Sequence, residues 1–431
     1  MYDSVKTTPL HEWHGKVGAN MAVFGGYDMP LWYPTGAKQE HMAVLTGAGI
    51  FDTSHMASVT IDGPGSFDLL QGCFTKDLSS CIGKNKTPIE DGRCVYGIFL
   101  NRDGTTIDDA IVYRMGETSY MIIVNAGMGG EIADHLKAHT GNLEAKITDL
   151  TDRLGKIDVQ GPLAARILQG IIKKSDDVFQ KMPYFSFKGH FDASSPLSET
   201  VRLTNDTPLL LSRTGYTGEF GFELFMDASH LTSTWEMILD AGSDFGITPC
   251  GLAARDSLRA GAVLPLSHQD IGHWPFLSNP WLFALPYNEE RSGFTKKFLG
   301  DEALRTAEDI EYTYPFAGYD LRKVSTQESA CVFDSQGKEI GEVLTCATDM
   351  AIGRVGEKIV SIASPDKPQG FRPRGLSCGF IKVQSKLFSG DIVEIRDSRR
   401  SIKVVVVDDI RPDRTARRPL NDMVWKREED I

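Results

Sequence analysis

A segment near the middle of the chain, residues 212–223 (SRTGYTGEFGFE), combines a flexible backbone with side chains that could bind a ligand. Three glycines within seven residues let the backbone turn tightly and approach a bound molecule. Apolar runs before and after it predict a strand on each side. Between the strands stand a cation, a phenol and two carboxylates: Arg213, Tyr216, Glu219 and Glu223. We predict a polar hairpin that holds a heteroaromatic ligand, and a surface hairpin with ordinary glycine turns is the alternative.

Two adjacent carboxylates, Asp108 and Asp109, stand in a predicted strand after a glycine turn. Neighbours on a strand point to opposite faces, so the sequence predicts that only one of the two faces a site. If Asp109 points inward, it shares a face with Ile107 and Ile111, and a carboxylate there is costly unless it is partnered or used. The alternative is that both carboxylates are solvated near a strand end.

Three further residues could contribute, although each is ambiguous alone. Asn125 ends a predicted strand with an amide that can donate and accept at the edge of a heterocycle, or it simply forms a turn. Tyr96 could stack on a ligand or pack in the core. Arg255 lies on a predicted helix, on the same face as Arg259, and could instead pair with Asp256.

The composition is that of an ordinary folded protein. Of 431 residues, 41% are hydrophobic and 24% are charged, and this length predicts two or three domains. The formal net charge of −12, without any block of like charges, disfavours binding to nucleic acid. The first residues lack an apolar signal core and no apolar run is long enough to cross a bilayer, so we predict a cytoplasmic protein that does not bind membranes.

The seven cysteines are spread along the chain without a C-x-x-C pair or a short cluster of cysteine and histidine. This spacing predicts reduced thiols, with neither a disulfide framework nor a zinc site. The ten histidines include no H-E-x-x-H motif. The sequence therefore predicts no bound catalytic metal.

The apolar periodicity predicts a strand-rich α+β chain. Strands are predicted at 51–61, 92–100, 110–114 and 120–124, and helices at 63–71, 130–139, 163–168, 231–241, 251–259 and 301–306. Beyond these, short strands separated by Gly and Asp predict a small β-barrel or jelly roll, at 317–322, 339–346, 376–383, 391–395 and 402–407. The charged stretch 413–431 is predicted to be a peripheral tail.

Taken in order, a series of motifs resembles the aminomethyltransferase family, which comprises the T-protein of the glycine cleavage system and its relatives. The resemblance covers most of the chain up to about residue 305. The motifs are 8–11 (TPLH), 24–30 (FGGYDMP), 49–56 (GIFDTSHM), 107–109 (IDD), 124–126 (VNA), 160–162 (QGP), 212–223, 251–259 (GLAARDSLR) and 298–304 (FLGDEAL).

The resemblance implies three domains arranged like a clover leaf around a central channel that takes tetrahydrofolate. The implied division is 1–55 with 150–260 for the first domain, 56–149 with 261–296 for the second, and 297–431, a β-barrel with a charged tail, for the third.

The resemblance also implies roles for the candidate residues. Asp109 matches the family's essential aspartate near N10 of the folate, and it would handle the proton or the positive charge that develops as a one-carbon unit is transferred. Tyr96, Asn125 and Tyr216 match positions that line the folate.

Two charged residues complete the implied folate site. Glu223 matches the carboxylate that holds the aminopyrimidine edge, because a carboxylate can accept two parallel N–H bonds. Arg255 matches an arginine that would supply a cation for the glutamate tail of the folate.

The chain departs from the family beside the implied substrate entrance. Residues 260–263 (AGAV) replace Leu-Glu-Ala-Gly, and residues 275–283 (PFLSNPWLF) replace a second segment with a carboxylate. Two acidic positions are lost and aromatic residues appear. Trp274, Trp281 and Phe283 could form a cage for a cationic or neutral methyl donor, or they could pack in the core.

Three functions are compatible with these features. The first is the T-protein reaction, in which an aminomethyl-lipoyl carrier protein and tetrahydrofolate give methylenetetrahydrofolate and ammonia. The second is a tetrahydrofolate-dependent demethylase or methyltransferase that acts on a small methylated amine, sulfonium or aryl ether. The third, a non-catalytic folate-binding protein of the kind that supports iron–sulfur assembly, is disfavoured because residues 296–300 (KKFLG) contain no cysteine.

Overall fold

The computed structural model describes residues 5–308, 310–326 and 329–424. In chain order, the strands are β1 (Asn20–Phe24), β2 (Tyr27–Trp32), β3 (Gly49–Asp52), β4 (Ala57–Asp62), β5 (Cys94–Leu100), β6 (Thr106–Gly116), β7 (Ser119–Val124), β8 (Lys146–Asp149), β9 (Leu154–Gln160), β10 (Phe187–Gly189), β11 (Leu210–Ser212), β12 (Gly221–Asp227), β13 (Thr248–Pro249), β14 (Tyr312–Ala317), β15 (Cys331–Phe333), β16 (Glu339–Asp349), β17 (Ile352–Val355), β18 (Lys358–Ser361), β19 (Leu376–Val383), β20 (Ile392–Arg396) and β21 (Ser401–Val406).

The helices connect these strands and cover their sheets. They are α1 (His11–Lys16), α2 (Ala37–Thr46), α3 (Ser66–Cys73), α4 (Gly129–Ala138), α5 (Ala164–Gln169), α6 (Ser175–Phe179), α7 (Leu231–Gly242), α8 (Leu252–Gly261) and α9 (Asp301–Thr306), with a π-helical segment at Ser267–Ile271. Within the described residues, the helices are too short or too polar to cross a bilayer.

A six-stranded sheet has the order β10-β11-β12-β9-β3-β13, and its neighbours are antiparallel except β3 and β13. Alternate residues of β9 and β12, such as Ile157 and Leu224, pack into a core with α5 and α7. Because side chains alternate along a strand, polar residues of the same two strands point to the opposite face. The predicted hairpin around residues 212–223 is confirmed, with β11 and β12 antiparallel and Ser212 opposite Glu223.

A five-stranded antiparallel sheet has the order β5-β6-β7-β4-β8. One face packs against α3 and α4, and Val112 and Ile122 belong to that core. The opposite face shares a smaller core with the six-stranded sheet, where Tyr113 and Ile123 contact Leu210 and Phe225. The polar faces of the two sheets are therefore next to each other.

The third unit is a closed β-barrel with the strand order β14-β19-β16-β15-β20-β21. Its interior is filled by apolar side chains, including Phe316, Val332 and Ile395. The predicted α+β class and the carboxyl-terminal barrel are confirmed. The division into three domains, two of them discontinuous, and the clover-leaf arrangement stay predictions, although each sheet draws its strands from one of the predicted domains.

The prediction of a peripheral tail at 413–431 is wrong for its described part, and residues 425–431 lie outside the described residues. Thr415 donates a hydrogen bond to Glu219 of the glycine-rich hairpin. Leu420 and Met423 enter the core of the six-stranded sheet. The high charge of the segment concealed these apolar and hydroxyl anchors, because charge density alone predicts solvent exposure.

Arg411, just before this segment, is 1% exposed and joins the glycine-rich hairpin, the barrel and α8. Its Nε donates to Glu219 of the hairpin at 3.1 Å, and its Nη1 donates to Asp349 of the barrel. Its Nη2 donates to the carbonyl oxygen of Thr217 and, at 3.3 Å, to that of Leu258 on α8. A buried charge requires partners of this kind, so Arg411 holds the hairpin, the barrel and α8 in one arrangement.

We expect Arg411→Met to lower the free energy of unfolding by about 3–5 kcal/mol, because it leaves two buried carboxylates without their cation. The measurement is urea unfolding followed by circular dichroism. Arg418→Met is the control, since the Arg418 side chain is exposed. Equal stability of the two variants would contradict the role of Arg411.

Candidate active site

Asp109 lies at the centre of a hydrogen-bonded cluster on β5, β6 and the end of β7. The Tyr96 hydroxyl donates to Oδ2 of Asp109 at 2.9 Å, and Nδ2 of Asn125 donates to its Oδ1 at 2.7 Å. The backbone N–H of Asp109 donates to Oγ of Ser267, on the π-helical segment, at 3.3 Å. The structure thus brings together three residues that the sequence singled out, and it adds a serine that the sequence did not.

The prediction that only one of the two adjacent carboxylates faces the site is wrong. Asn125 contacts both: its Nδ2 also donates to Oδ1 of Asp108 at 2.7 Å, and its backbone N–H donates to Oδ2 of Asp108 at 2.9 Å. Asp108 is fully buried, whereas Asp109 is half-buried. Both carboxylates therefore belong to one site.

A β-bulge lies directly before the two carboxylates, which themselves pair regularly with Phe99 and Ile98. Phe99 on β5 pairs with Asp108, but the next residue, Leu100, pairs with Thr106, so Ile107 is an extra residue on β6. A bulge interrupts the alternation of side chains and redirects those beside it. Ile107 accordingly packs into the core under α3 and α4 and does not share a face with Asp109.

Burial makes the two carboxylates harder to ionise than exposed ones. Burial raises the pKa of Asp108 to about 7, and the negative charge of Asp109 adds to this rise. Burial also raises the pKa of Asp109, while hydrogen bonds from Tyr96 and Asn125 oppose the rise. The pair is therefore able to hold or release a proton near neutral pH.

The glycine-rich hairpin and α8 supply the second half of the site. The Arg255 guanidinium lies over the ring of Tyr216, 4.7 Å from its centroid, and the Tyr216 hydroxyl donates to the carbonyl oxygen of Pro265. Burial raises the pKa of the Tyr216 phenol; the charge of Arg259 opposes this rise and that of Asp109 adds to it. Tyr216 is thus within electrostatic range of the carboxylate cluster.

Behind the hairpin, four charged residues form a buried network. Lys156 on β9 donates to Asp158 at 2.7 Å and also to Oε1 of Glu223. Nη1 of Arg255 donates to the other oxygen of Asp158 at 2.9 Å. Thr214 donates to Oε2 of Glu223. The charges of the two cations and two carboxylates balance, which is the condition for burying them.

Lys156 and Asp158 were missed by the sequence prediction. A signal was available, because Lys156, Asp158 and Gln160 alternate with the apolar Ile157 and Val159 on β9. Alternation of this kind places three polar side chains on one buried face of a strand. In an ordinary buried strand that face would be apolar.

Trp274, Trp281 and Phe283 do not form the aromatic cage that was one of their two possible roles. Trp281 is 1% exposed, its indole Nε1 donates to the carbonyl oxygen of Val263 at 2.9 Å, and it packs in the core. Trp274 is covered by Lys382, whose Nζ lies 3.9 Å from the ring centroid. Phe283 is 57% exposed and lies beside Tyr96, with ring centroids 5.7 Å apart. Of the three, only Phe283 lies exposed at the site.

Comparison with known proteins agrees with the resemblance found in the sequence. The family model described as "GCVT N-terminal domain" matches residues 10–274. An aminomethyltransferase from Geobacillus kaustophilus is 36% identical over 347 residues, which cover 79% of this chain and 86% of that protein. Another from Bacillus subtilis is 32% identical over 359 residues, covering 81% and 89%.

A solved structure shows the same fold. The glycine cleavage system aminomethyltransferase T from Bartonella henselae has a TM-score of 0.73 to this chain at 24% identity, covering 96% of this chain and 99% of that one. The chain therefore belongs to the aminomethyltransferase family and is a transferase. The names of the relatives support a T-protein-like function and give no support to the demethylase alternative.

The buried carboxylate pair predicts a pH dependence of stability. Because the folded-state pKa of Asp108 is raised, its contribution to stability is complete below about pH 4 and is lost as the pH rises through about 7. Between pH 5 and pH 8, we expect the free energy of unfolding of the wild type to fall by a few kcal/mol at most relative to that of Asp108→Asn. The size follows because one pKa unit corresponds to about 1.4 kcal/mol.

The measurement is urea unfolding of both proteins across this pH range. Asp68→Asn, which changes an exposed carboxylate on α3, is the control and should follow the wild type. Parallel pH profiles for wild type and Asp108→Asn would show that burial does not shift the titration of this group.

Proposed function

We propose that this protein transfers the aminomethyl unit of a lipoyl carrier protein to tetrahydrofolate, giving methylenetetrahydrofolate and ammonia. The observation that carries the proposal is Asp109, a half-buried carboxylate held by Tyr96 and Asn125 at the position that the family motif gives to its essential aspartate. The aminomethyltransferase relatives, which match along most of their length, support the reaction type.

The residues of the site fit tetrahydrofolate. The carboxylate of Glu223 accepts bonds from Lys156 and Thr214, and a carboxylate has further lone pairs for the N–H groups of an aminopyrimidine. Arg255 uses Nη1 on Asp158, and a guanidinium has further N–H groups for the anionic tail. We therefore assign folate binding to five residues: Tyr96, Asn125, Tyr216, Glu223 and Arg255.

Asp109 is the proposed catalytic residue. When bound, tetrahydrofolate supplies the nitrogen atoms that accept the one-carbon unit. The Tyr96 hydroxyl and the Asn125 amide fix both oxygens of Asp109, so its negative charge is already oriented before positive charge develops on the transferred unit. Asp108, with a pKa of about 7, is placed to take up or release a proton beside it.

The carrier protein is the proposed donor. A small methylated donor would need the aromatic cage, and Trp281 is buried in the core with its indole N–H already bonded. Phe283, exposed beside Tyr96, offers instead an apolar surface at the edge of the site against which a lipoyl arm could rest. We propose no second function.

The decisive experiment measures ammonia release by the purified full chain with aminomethylated lipoyl carrier protein and tetrahydrofolate. We expect ammonia and methylenetetrahydrofolate in equal amounts. No ammonia, together with 5-methyltetrahydrofolate formed from a methylated amine, sulfonium or aryl ether, would reject the proposal in favour of demethylation.

In the same assay, Asp109→Asn should lower kcat by about 100-fold or more while leaving the dissociation constant of tetrahydrofolate within a few-fold of wild type. The reason is that Asn keeps the shape and the hydrogen bond to Tyr96 but removes the negative charge. Asp68→Asn again serves as the exposed control. Near-normal turnover of Asp109→Asn would refute the catalytic assignment.

A further inference from the structure

A cysteine and two histidines meet on the helical side of the five-stranded sheet, opposite the face that carries Asp109. Cys73 is the last residue of α3, and His135 and His139 lie four residues apart at the end of α4. One potential ligand atom of each residue lies within 4.8 Å of the other two. Sequence spacing alone could not predict this cluster, because the cysteine and the histidines are far apart along the chain.

His135 has an unused nitrogen in this cluster. Its Nε2 is buried and has no hydrogen-bond partner among the described residues. Burial lowers the pKa of His135 to about 4, so the ring is neutral at physiological pH. A buried polar atom without a partner is costly, and coordination of a metal ion by its lone pair would remove that cost.

His139 is held in the tautomer that suits metal binding. Its Nδ1 lies 2.8 Å from the backbone carbonyl oxygen of His135, so Nδ1 carries the proton and donates it to that oxygen. The lone pair available for a ligand is then on Nε2. Metal-binding histidines are commonly oriented in this way, with the second ring nitrogen bonded to a carbonyl or carboxylate.

We propose that Cys73, His135 and His139 form a Zn²⁺ site whose fourth position is open to solvent. A thiolate and two imidazoles are ligands that Zn²⁺ prefers, and both histidines are half-buried, which gives an ion access from outside. Tetrahedral zinc bond lengths imply about 3.4–3.6 Å between neighbouring ligand atoms. The three atoms therefore have to converge by about 1 Å, which side-chain rotation at the helix ends can provide.

Binding would join α3 to α4 across the core of the sheet. Burial raises the pKa of the Cys73 thiol to about 11, so the metal has to displace its proton. Leu70 and Leu136, from the same two helices, already pack in this core. The bound ion would add a direct link between these helices and stabilise the layer that supports the catalytic sheet.

The test is titration of the untagged full chain with Zn²⁺ after treatment with a chelator, followed by calorimetry. We expect one Zn²⁺ per chain and, with Co²⁺ in its place, a thiolate-to-cobalt charge-transfer band. Cys73→Ser and His139→Gln should each weaken binding by about 100-fold. Cys81→Ser, at a half-buried cysteine outside the cluster, should bind as the wild type does.

Thermal unfolding separates metal binding from a loss of folding. At about 100 times the dissociation constant, Zn²⁺ should raise the Tm of the wild type and of Cys81→Ser but not that of His139→Gln, whose Tm without metal should stay near that of the wild type. Absence of Zn²⁺ binding, binding that both ligand variants leave unchanged, or a Co²⁺ spectrum without the thiolate band would each overturn the proposal.

Discussion

The burial of the Arg411 charge is the constraint on which the rest of the structure depends. One guanidinium satisfies Glu219 in the hairpin, Asp349 in the barrel and a carbonyl oxygen of α8. Both carboxylates are buried, so separating the barrel from the hairpin would leave them without this cation. These bonds hold the glycine-rich hairpin in position, and the hairpin forms one side of the candidate site.

A second balanced set of buried charges, formed by Lys156, Arg255, Asp158 and Glu223, lies behind the hairpin. Burial acts to raise the pKa of Asp158, and the charges of Lys156 and Arg255 hold it below its usual value. Lys156 also pairs with Glu223, so one cation links both carboxylates. In the proposed folate site, Lys156 would hold the Glu223 carboxylate in place without having to touch the ligand.

The sequence predicted the residue types of the site better than their arrangement. Local signals were sufficient for the hairpin strands and for most barrel strands, whereas Asp109, Tyr96 and Asn125 were ambiguous alone and were joined only by the family resemblance. The first barrel strand was placed at 317–322 but lies at Tyr312–Ala317, because Pro315 argues against a strand. The bulge at Ile107 and the anchors of the carboxyl-terminal segment depend on tertiary pairing, which no local pattern reveals.

The position of Asn125 has a chemical consequence for the two carboxylates. Because Asn125 follows the end of β7, its single side-chain amide can hold the neighbouring carboxylates of Asp108 and Asp109 together. Two carboxylates held this closely favour sharing one proton at neutral pH, so the pair carries about one negative charge before positive charge appears nearby. In the proposed reaction, a developing positive charge would favour release of the remaining proton, and the negative charge of the pair would then increase to balance it.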